Sequence, residues 1–437
     1  MLTLVYLLLV MIFIVVSTTK LDLHPFLALL ISALVMGFLS GIAPAEILES
    51  LSTGFGGTLK SIGIVIACGT IIGTFLERSG GASTMASSML RLVGEKRAPL
   101  AMSITGFIVS IPVFCDSGFV ILSTLNRAIS KRTGISLAVL ATALATGLYT
   151  THVFVPPTPG PLAAAATLGA DVGLVLILGL IVSIPVAAAG LVWALVYAKR
   201  FSIQPTDYVQ SASRQESPAL GISLLPLLLP ILLIAQRSLL PLSADPGNFI
   251  RISLDFIGNP VTALLIGVFT AFALKTRHMQ GSLFDWVGDG LKSAGSIILI
   301  TGAGGAFGAI LRATDLGATL GSTFGDWQLG IVLPFVIAAV LKTAQGSSTV
   351  AIITTAALIS PMLGSLGLAT AAGKALAVLA IGAGAMTVSH ANDSYFWVVS
   401  QFSDMDTATA LRAHTLATLF QGLTGIVFIA ILHWLLI

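Results

Sequence analysis

The chain has 437 residues, of which 56% are hydrophobic and only 9% are charged. Soluble domains carry about 25% charged residues, so this composition excludes a soluble globular protein and predicts helices in a lipid bilayer. The formal net charge is +3, and the basic residues occur in short clusters between apolar segments. This pattern indicates membrane topology and excludes a nucleic-acid surface. Cys68 and Cys115 both lie in apolar segments, so we expect free thiols, no metal site and no cofactor.

Self-similarity divides the chain into two halves. The motif LKSIG at Leu59–Gly63 recurs as LKSAG at Leu291–Gly295, and three further motifs recur in the same order at offsets of about 230 to 240 residues. These further pairs are Gly69 and Gly73 with Gly304 and Gly308, the segment from Ser117 with that from Ser347, and the segment ending at His152 with that ending at His390. The pattern predicts a first repeat over residues 1–198, a cytoplasmic linker over 199–217 and a second repeat over 218–437.

Basic clusters mark the loops expected on the cytoplasmic side, and they place the N-terminus outside. Residues 98–127 have such clusters at both ends, with Pro112, Asp116 and Gly118 in the middle, so this segment should begin and end on one side. Each arm has about 13 residues and is too short to span the bilayer. We interpret the segment as a re-entrant hairpin entering from the cytoplasm, and the matching segment 329–362 as a second hairpin entering from outside.

The predicted fold is an all-α polytopic membrane protein with two inverted-topology repeats, each of about five spans plus one re-entrant hairpin. An odd number of spans makes the second half insert with the opposite orientation. Broken helices are expected at the site, because THVFVPPTPGP at Thr151–Pro161 and SHANDSYFW at Ser389–Trp397 interrupt long apolar spans. Non-helical backbone at membrane depth occurs only where it is buried in protein or lines a cavity. We therefore expect the two breaks and the two hairpin tips to converge near the midplane.

Polar residues in these four stretches are the candidate ligands. Asp116 is costly in hydrocarbon unless it faces a cavity, although it is also placed to cap a hairpin arm. Lys342 either snorkels to the outer interface or pairs with a carboxylate, and Asp393 has the alternative of capping the helix that follows it. The predicted substrate-binding residues are Asp116, Ser117, Gly118, Thr151, His152, Thr158, Gly160, Lys342, Gly346, Ser347, Ser348, Thr349, Ser389, His390, Asn392 and Asp393.

Four of these residues are also candidates for carrying a proton. Asp393 and Asp116 are carboxylates that an adjacent anionic substrate would tend to protonate. His152 and His390 occupy nearly matching positions in the two halves, and imidazole exchanges protons near neutral pH. The alternative for both histidines is a structural hydrogen-bonding role.

Three segments resemble the signature regions of the gluconate permease family, a family of gluconate:proton symporters. They are Thr151–Ala166, Gly346–Ala356 and Ser389–Val399, and the LKSIG region with Gly80 and Gly81 is similar as well. The resemblance implies membership of the inverted-repeat ion transporter superfamily and a multi-pass location in the bacterial inner membrane. It also implies proton-coupled symport of gluconate or a related small hydroxy-carboxylate, and a homodimer.

The sequence departs from gluconate-type members at three of the candidate positions. Asp116, Lys342 and Thr158 stand where such members tend to have glutamate, arginine and histidine. D-serine or a short hydroxy acid is therefore the alternative substrate that the resemblance implies.

A channel and a membrane-embedded enzyme are the two alternative classes of function. A channel would also suit paired re-entrant segments, but charges of both signs in the predicted site favour a transporter. A membrane-embedded enzyme is disfavoured because the chain has no HExxH or GxSxG motif.

The predicted orientation of the hairpins can be tested by labelling. Single cysteines at Ser117 and Ser348, in a background lacking Cys68 and Cys115, should react with a membrane-impermeant thiol reagent from opposite sides. We expect Ser117→Cys to be reached from the cytoplasm and Ser348→Cys from outside, because only the first hairpin has basic flanks. Labelling of both positions from one side in every state would contradict the inverted arrangement.

Overall fold

The computed structural model describes residues 2–19, 21, 23–205, 218–239, 249–276, 279–314, 330–390 and 393–437. All regular elements in these ranges are helical, as the composition predicts. In chain order they are α1 (Leu2–Thr19), α2 (Pro25–Leu39), α3 (Pro44–Arg78), α4 (Gly81–Val93), α5 (Ala98–Val109), α6 (Cys115–Thr133), α7 (Leu137–Phe154), α8 (Pro159–Leu168), α9 (Val172–Val196), α10 (Leu220–Leu239), α11 (Phe249–Ile257), α12 (Pro260–Ala271), α13 (Leu283–Ala313), α14 (Val332–Gln345), α15 (Ser348–Ile359), α16 (Ala371–Met386), α17 (Ser394–Phe402), α18 (Thr407–Ala410) and α19 (Leu416–Leu436). A π-helical segment, Leu411–Thr415, joins α18 to α19.

Several helical stretches are long and apolar enough to cross a membrane. Among the described residues there are four of them, or six if each of two bent helix pairs is one span. The four are Leu137–Leu168, Val172–Arg200, Leu283–Ala313 and Thr407–Leu436. Other apolar helices have 10–17 residues, which is short for a span on their own. The predicted number of about five spans in each half stays a prediction.

Helix α7 forms the centre of the molecule. All of its residues are buried. Its sequence explains this position, because Leu, Ala, Gly and Thr occur all around the helix and leave no polar face for water. Gly147 lets α5 approach closely: a Cβ at this position would lie 2.2 Å from the backbone oxygen of Ser103. The helix that carries the first predicted break is therefore held on all sides.

The first predicted hairpin forms two helices, α5 and α6, joined by residues 110–114. Pro112 lies in this connection, as expected of a residue that cannot continue a helix. Asp116 and Gly118 were expected in the interruption, but they lie in the first turn of α6. Helix α6 also continues to Thr133, beyond the predicted end of the hairpin at residue 127.

The second predicted hairpin forms α14 and α15, joined by Gly346 and Ser347. Gly346 has a positive φ of 82°, a conformation that favours glycine and permits this sharp turn. Ser347 caps α15, because its side chain accepts a hydrogen bond from the backbone N–H of Val350 at 3.3 Å. Position 329, the predicted start of this hairpin, lies outside the described residues.

Both predicted breaks in long helices are confirmed. Helix α7 ends at Phe154 and α8 begins at Pro159, with Pro156 and Pro157 between them. Helix α16 ends at Met386 and α17 begins at Ser394.

The two helices that carry the LKSIG and LKSAG motifs, α3 and α13, pack against each other. The contact depends on small residues, as is usual between helices in membranes. A Cβ at Gly305 would lie 1.9 Å from the Thr58 hydroxyl oxygen, and one at Gly54 would lie 2.6 Å from the side chain of Ala309.

Candidate substrate site

A buried ion pair joins the second hairpin to the second break. Lys342, in α14, is 0% exposed, and its Nζ lies 2.5 Å from Oδ2 of Asp393, which is 5% exposed. The ammonium also donates a hydrogen bond to the backbone oxygen of Gly346 at the hairpin tip. The predicted alternative of snorkelling is wrong for Lys342 in this structure, because its charge is turned inward. Its partner is a carboxylate of the protein.

Asp393 caps the helix that follows it, as its position predicted, and also pairs with Lys342. Its Oδ1 accepts a hydrogen bond from the backbone N–H of Tyr395 at 3.1 Å and so caps α17. Its Oδ2 faces Lys342 and accepts a hydrogen bond from the Ser389 hydroxyl at 2.5 Å. A negative charge at the N-terminus of α17 is also favoured by the helix dipole. Both oxygens of this carboxylate therefore have partners within the protein.

His414, which is not among the predicted site residues, lies next to Ser389. Nε2 of His414 is 3.3 Å from the Ser389 hydroxyl oxygen, and His414 belongs to the π-helical segment. The neighbouring Thr415 donates a hydrogen bond to the backbone oxygen of Ser389 at 2.5 Å. The Thr418 hydroxyl accepts one from the backbone N–H of Ser389 at 3.0 Å. Single π turns occur frequently at functional sites, and this one fixes the non-helical backbone that carries Ser389.

Asp116 brings the first hairpin to the same place. The Ser394 hydroxyl, in the first turn of α17, donates a hydrogen bond to Oδ1 of Asp116 at 3.4 Å. Asp116 is half-buried and has no ion-pair partner within the described ranges. Two carboxylates, Asp116 and Asp393, thus stand at the N-terminal ends of α6 and α17. A lysine faces only one of them.

Aromatic rings of α7 and α17 form one wall of the cluster. Nζ of Lys342 lies 5.9 Å from the ring centroid of Tyr149, and the rings of Tyr149 and Tyr395 are 5.2 Å apart. The Tyr149 hydroxyl donates to the backbone oxygen of Ala385, while the Tyr395 hydroxyl donates to that of Ala145. Each tyrosine therefore ties one half of the chain to the other, next to the ion pair.

The two predicted histidines occupy different environments. His152, 5% exposed, stacks on Tyr149 with ring centroids 6.5 Å apart, and its Nδ1 has no hydrogen-bond partner among the described residues. His390 is half-buried, and its Nε2 is 2.9 Å from the backbone oxygen of Thr343 in α14. His390 thus makes a second contact between the break and the hairpin that carries Lys342.

Most of the other predicted ligands lie in or beside the helices α6, α7, α8 and α15. The Thr151 hydroxyl donates to the backbone oxygen of Phe107, and the Thr158 hydroxyl donates to that of Val155. Gly160 permits close packing, because a Cβ there would lie 2.8 Å from Ile352 of α15. Ser117, Ser348 and Thr349 lie in the first turns of α6 and α15, and Asn392 lies outside the described residues.

Charged and hydroxyl side chains meet at the ends of three helices. One buried ammonium, two carboxylates, serine and threonine hydroxyls and the N-terminal ends of α6, α15 and α17 converge in protein-buried surroundings. An ammonium and helix N-termini bind a carboxylate, while carboxylates and hydroxyls bind hydroxyl or ammonium groups. No group of three metal-binding side chains occurs within the described part of the chain.

Known proteins resemble this chain over almost its whole length. The sequence profile described as GntP family permease matches residues 2–435. The chain is 33% identical over 432 residues to a gluconate permease of Pseudomonas aeruginosa, covering 97% of this chain and 95% of the relative. It is 34% identical to the inner membrane permease YgbN of Escherichia coli, with 93% of both chains covered. It is 33% identical to the D-serine transporter DsdX of Escherichia coli, with 96% of both chains covered.

A solved structure shares the fold. The YdaH transporter of Alcanivorax borkumensis matches with a TM-score of 0.69 at 17% sequence identity, covering 94% of this chain and 99% of that one.

The ion pair can be tested through stability. Lys342→Met should lower the free energy of unfolding by about 3–5 kcal/mol, because it leaves the Asp393 carboxylate buried without its cation. Adding Asp393→Asn should restore most of this loss, since the unpaired charge is then removed. Thermal unfolding of the purified protein in detergent measures both. Lys292→Met is the control, because Lys292 is exposed and pairs with Asp289 on the surface. Equal instability of the single and the double variant would contradict a coupled pair.

Proposed function

We propose, starting from the fact that this chain belongs to the GntP family of permeases, that it moves a small hydroxy-carboxylate together with a proton. Membership makes the chain a multi-pass transporter of the inner membrane and not an enzyme. The proton, the substrate class and the residues that bind them belong to the proposal. The observation that carries it is the buried pair of Lys342 and Asp393.

Substrate and Asp393 compete for the same ammonium in this proposal. With Asp393 charged, Lys342 is satisfied by an internal carboxylate and has little affinity for another. When Asp393 takes up a proton, its Oδ2 no longer neutralises the ammonium, and a substrate carboxylate replaces it. The buried lysine then keeps one negative partner in every state, which avoids the large cost of an uncompensated buried charge.

Coupling follows from this exchange. A bound anion beside Lys342 disfavours a second negative charge on Asp393, so substrate binding promotes proton uptake. Linkage requires the reciprocal effect, and substrate therefore binds more tightly as protons become more abundant. The Ser389 hydroxyl and Nε2 of His414 extend the contacts of Asp393 away from Lys342 and offer a path for the proton that does not cross the substrate. Asp116, His152 and His390 are the alternative proton carriers.

The layout of the helices supports alternating access. Helix pairs α5–α6 and α14–α15, and breaks α7–α8 and α16–α17, follow the same order in the two halves. We propose that the halves, 1–198 and 218–437, are inverted repeats and that their two hairpins gate the site from opposite sides. Arg127, in the second half of α6, and Asp404, in the turn after α17, form a two-bond ion pair at 2.6 and 2.8 Å, which agrees with both lying on the cytoplasmic side. The homodimer that the family resemblance implies is part of the same proposal.

D-serine transport is a second candidate, and Asp116 favours it. This carboxylate is half-buried and has no cationic partner in the part of the chain that the structure describes. A zwitterionic amino acid would place its carboxylate on Lys342 and its ammonium on Asp116. Asp116→Asn distinguishes the two substrates, because it should abolish transport of an amino acid and leave a hydroxy acid with most of its affinity.

Transport by the purified protein in liposomes tests the proposal. Wild-type protein should accumulate gluconate or a shorter hydroxy acid when a proton gradient is imposed, and should show counterflow, which a channel would not. Lys342→Met should weaken substrate binding about tenfold to a hundredfold, the range expected for a lost charged contact.

Asp393→Asn separates binding from coupling. This variant holds the site neutral at position 393, so substrate should still bind and exchange, with an affinity that no longer depends on pH. Accumulation driven by a proton gradient should be lost. Asp116→Asn is the matched control for the hydroxy acid and should retain both. Proton-driven accumulation with wild-type pH dependence in Asp393→Asn would assign the proton to another of the candidates.

A further inference from the structure

A cavity of about 730 Å³ lies away from the candidate site, between the start of α5, the start of α7 and the end of α9. Three basic residues line it, Lys96, Arg97 and Lys199, together with apolar residues such as Leu100 and Leu195. We propose that this cavity binds the phosphate group of an anionic phospholipid from the cytoplasmic leaflet, with an acyl chain along α9. The proposal is independent of the transported substrate.

The three cations come from two separate turns. Lys96 and Arg97 lie in the turn before α5, and Lys199 lies in the turn that follows α9. All three are exposed, and none forms an ion pair with a described residue. The nearest acidic side chain in sequence, Glu95, is already paired with Arg132 at 2.8 Å. The cavity therefore presents positive charge that a phosphate diester complements.

Apolar residues of α9 also line the cavity. Leu191 and Leu195 are four residues apart and so lie on one face of α9. Val192, Leu195 and Val196 are 53%, 44% and 54% exposed, which continues the apolar surface along this helix. A free phosphate ion would use the cations and leave this wall bare. A phospholipid would contact both the cations and the apolar residues, so we propose a lipid as the occupant.

The position of the cavity along α9 agrees with a headgroup site. Helix α9 is one of the four long apolar stretches, and the cavity lies at its basic end, where the chain enters the predicted cytoplasmic linker. Basic pockets between membrane helices on the cytoplasmic side bind anionic headgroups. Because α5 begins at this cavity, a bound lipid would also contact the base of the first hairpin.

Native mass spectrometry of the wild-type protein in detergent tests the proposal first. With equal amounts of phosphatidylglycerol and phosphatidylcholine, the protein should retain at least one phosphatidylglycerol in preference. Equal retention of the two lipids would overturn the proposal, and this result needs no variant.

A charge-matched pair of variants locates the site. Lys96→Gln/Arg97→Gln/Lys199→Gln should bind phosphatidylglycerol about a hundredfold more weakly, because each cation near the membrane surface contributes to lipid binding. Arg91→Gln/Lys292→Gln/Arg412→Gln removes the same charge from exposed positions outside the cavity, and it should bind as wild type does. A thermal-shift titration provides the second readout: phosphatidylglycerol should raise the melting temperature of wild type and control only. An equal loss in both triple variants, or an equal shift with inorganic phosphate, would overturn the assignment.

Discussion

A lysine ammonium with no exposed surface constrains this structure more than any other single group. Removing such a charge from water costs several kcal/mol, and the protein tolerates it only with an opposite charge and further hydrogen bonds in place. For Lys342 these are the carboxylate of Asp393 and the backbone oxygen of Gly346. The tip of one hairpin and the break in another helix must therefore stay together, although the two charged residues are 51 positions apart in the chain.

Hydrogen bonds also hold the non-helical backbone at Ser389, next to the ion pair. Ser389 lies outside the helices, so side chains of α19 and of the π segment supply hydrogen bonds to its backbone. Thr418 and Thr415 bond both backbone groups of Ser389, and Ser389 in turn bonds Asp393. On the opposite side, Tyr149 and Tyr395 connect the two halves, because each hydroxyl donates a hydrogen bond to a backbone oxygen of the other half. Hydrogen-bonded backbone from both halves of the chain therefore surrounds the ion pair.

Much of the fold could be predicted from residues that are out of place in an apolar chain. Pro112, the prolines between Phe154 and Pro159, and Gly346 each mark an interruption, because proline lacks an N–H and glycine permits a positive φ. Helix bounds were less accurate. Asp116 was expected in an interruption, yet it lies in the first turn of α6, where an acidic residue is favourable.

The partnership inside the site could not be read from one sequence. Nothing local indicates that Lys342 meets Asp393, because that contact depends on how two distant segments pack. His414 was not predicted at all, since the π segment that turns it towards Ser389 has no sequence signal of its own. The predicted site residues beside the family's motifs could be chosen because polar groups are rare at membrane depth. Thr158 and Gly160, also predicted there, contribute mainly to shape and packing in this structure.

We propose that a substrate carboxylate replaces charged Asp393 as the partner of Lys342 only when Asp393 accepts a proton. Calorimetry of substrate binding near neutral pH, repeated in buffers with different ionisation enthalpies, counts the protons taken up per substrate bound. We expect the wild-type protein to take up close to one proton per substrate bound and Asp393→Asn to take up none. Binding with no proton uptake in the wild-type protein, or with the same uptake in both proteins, would contradict it.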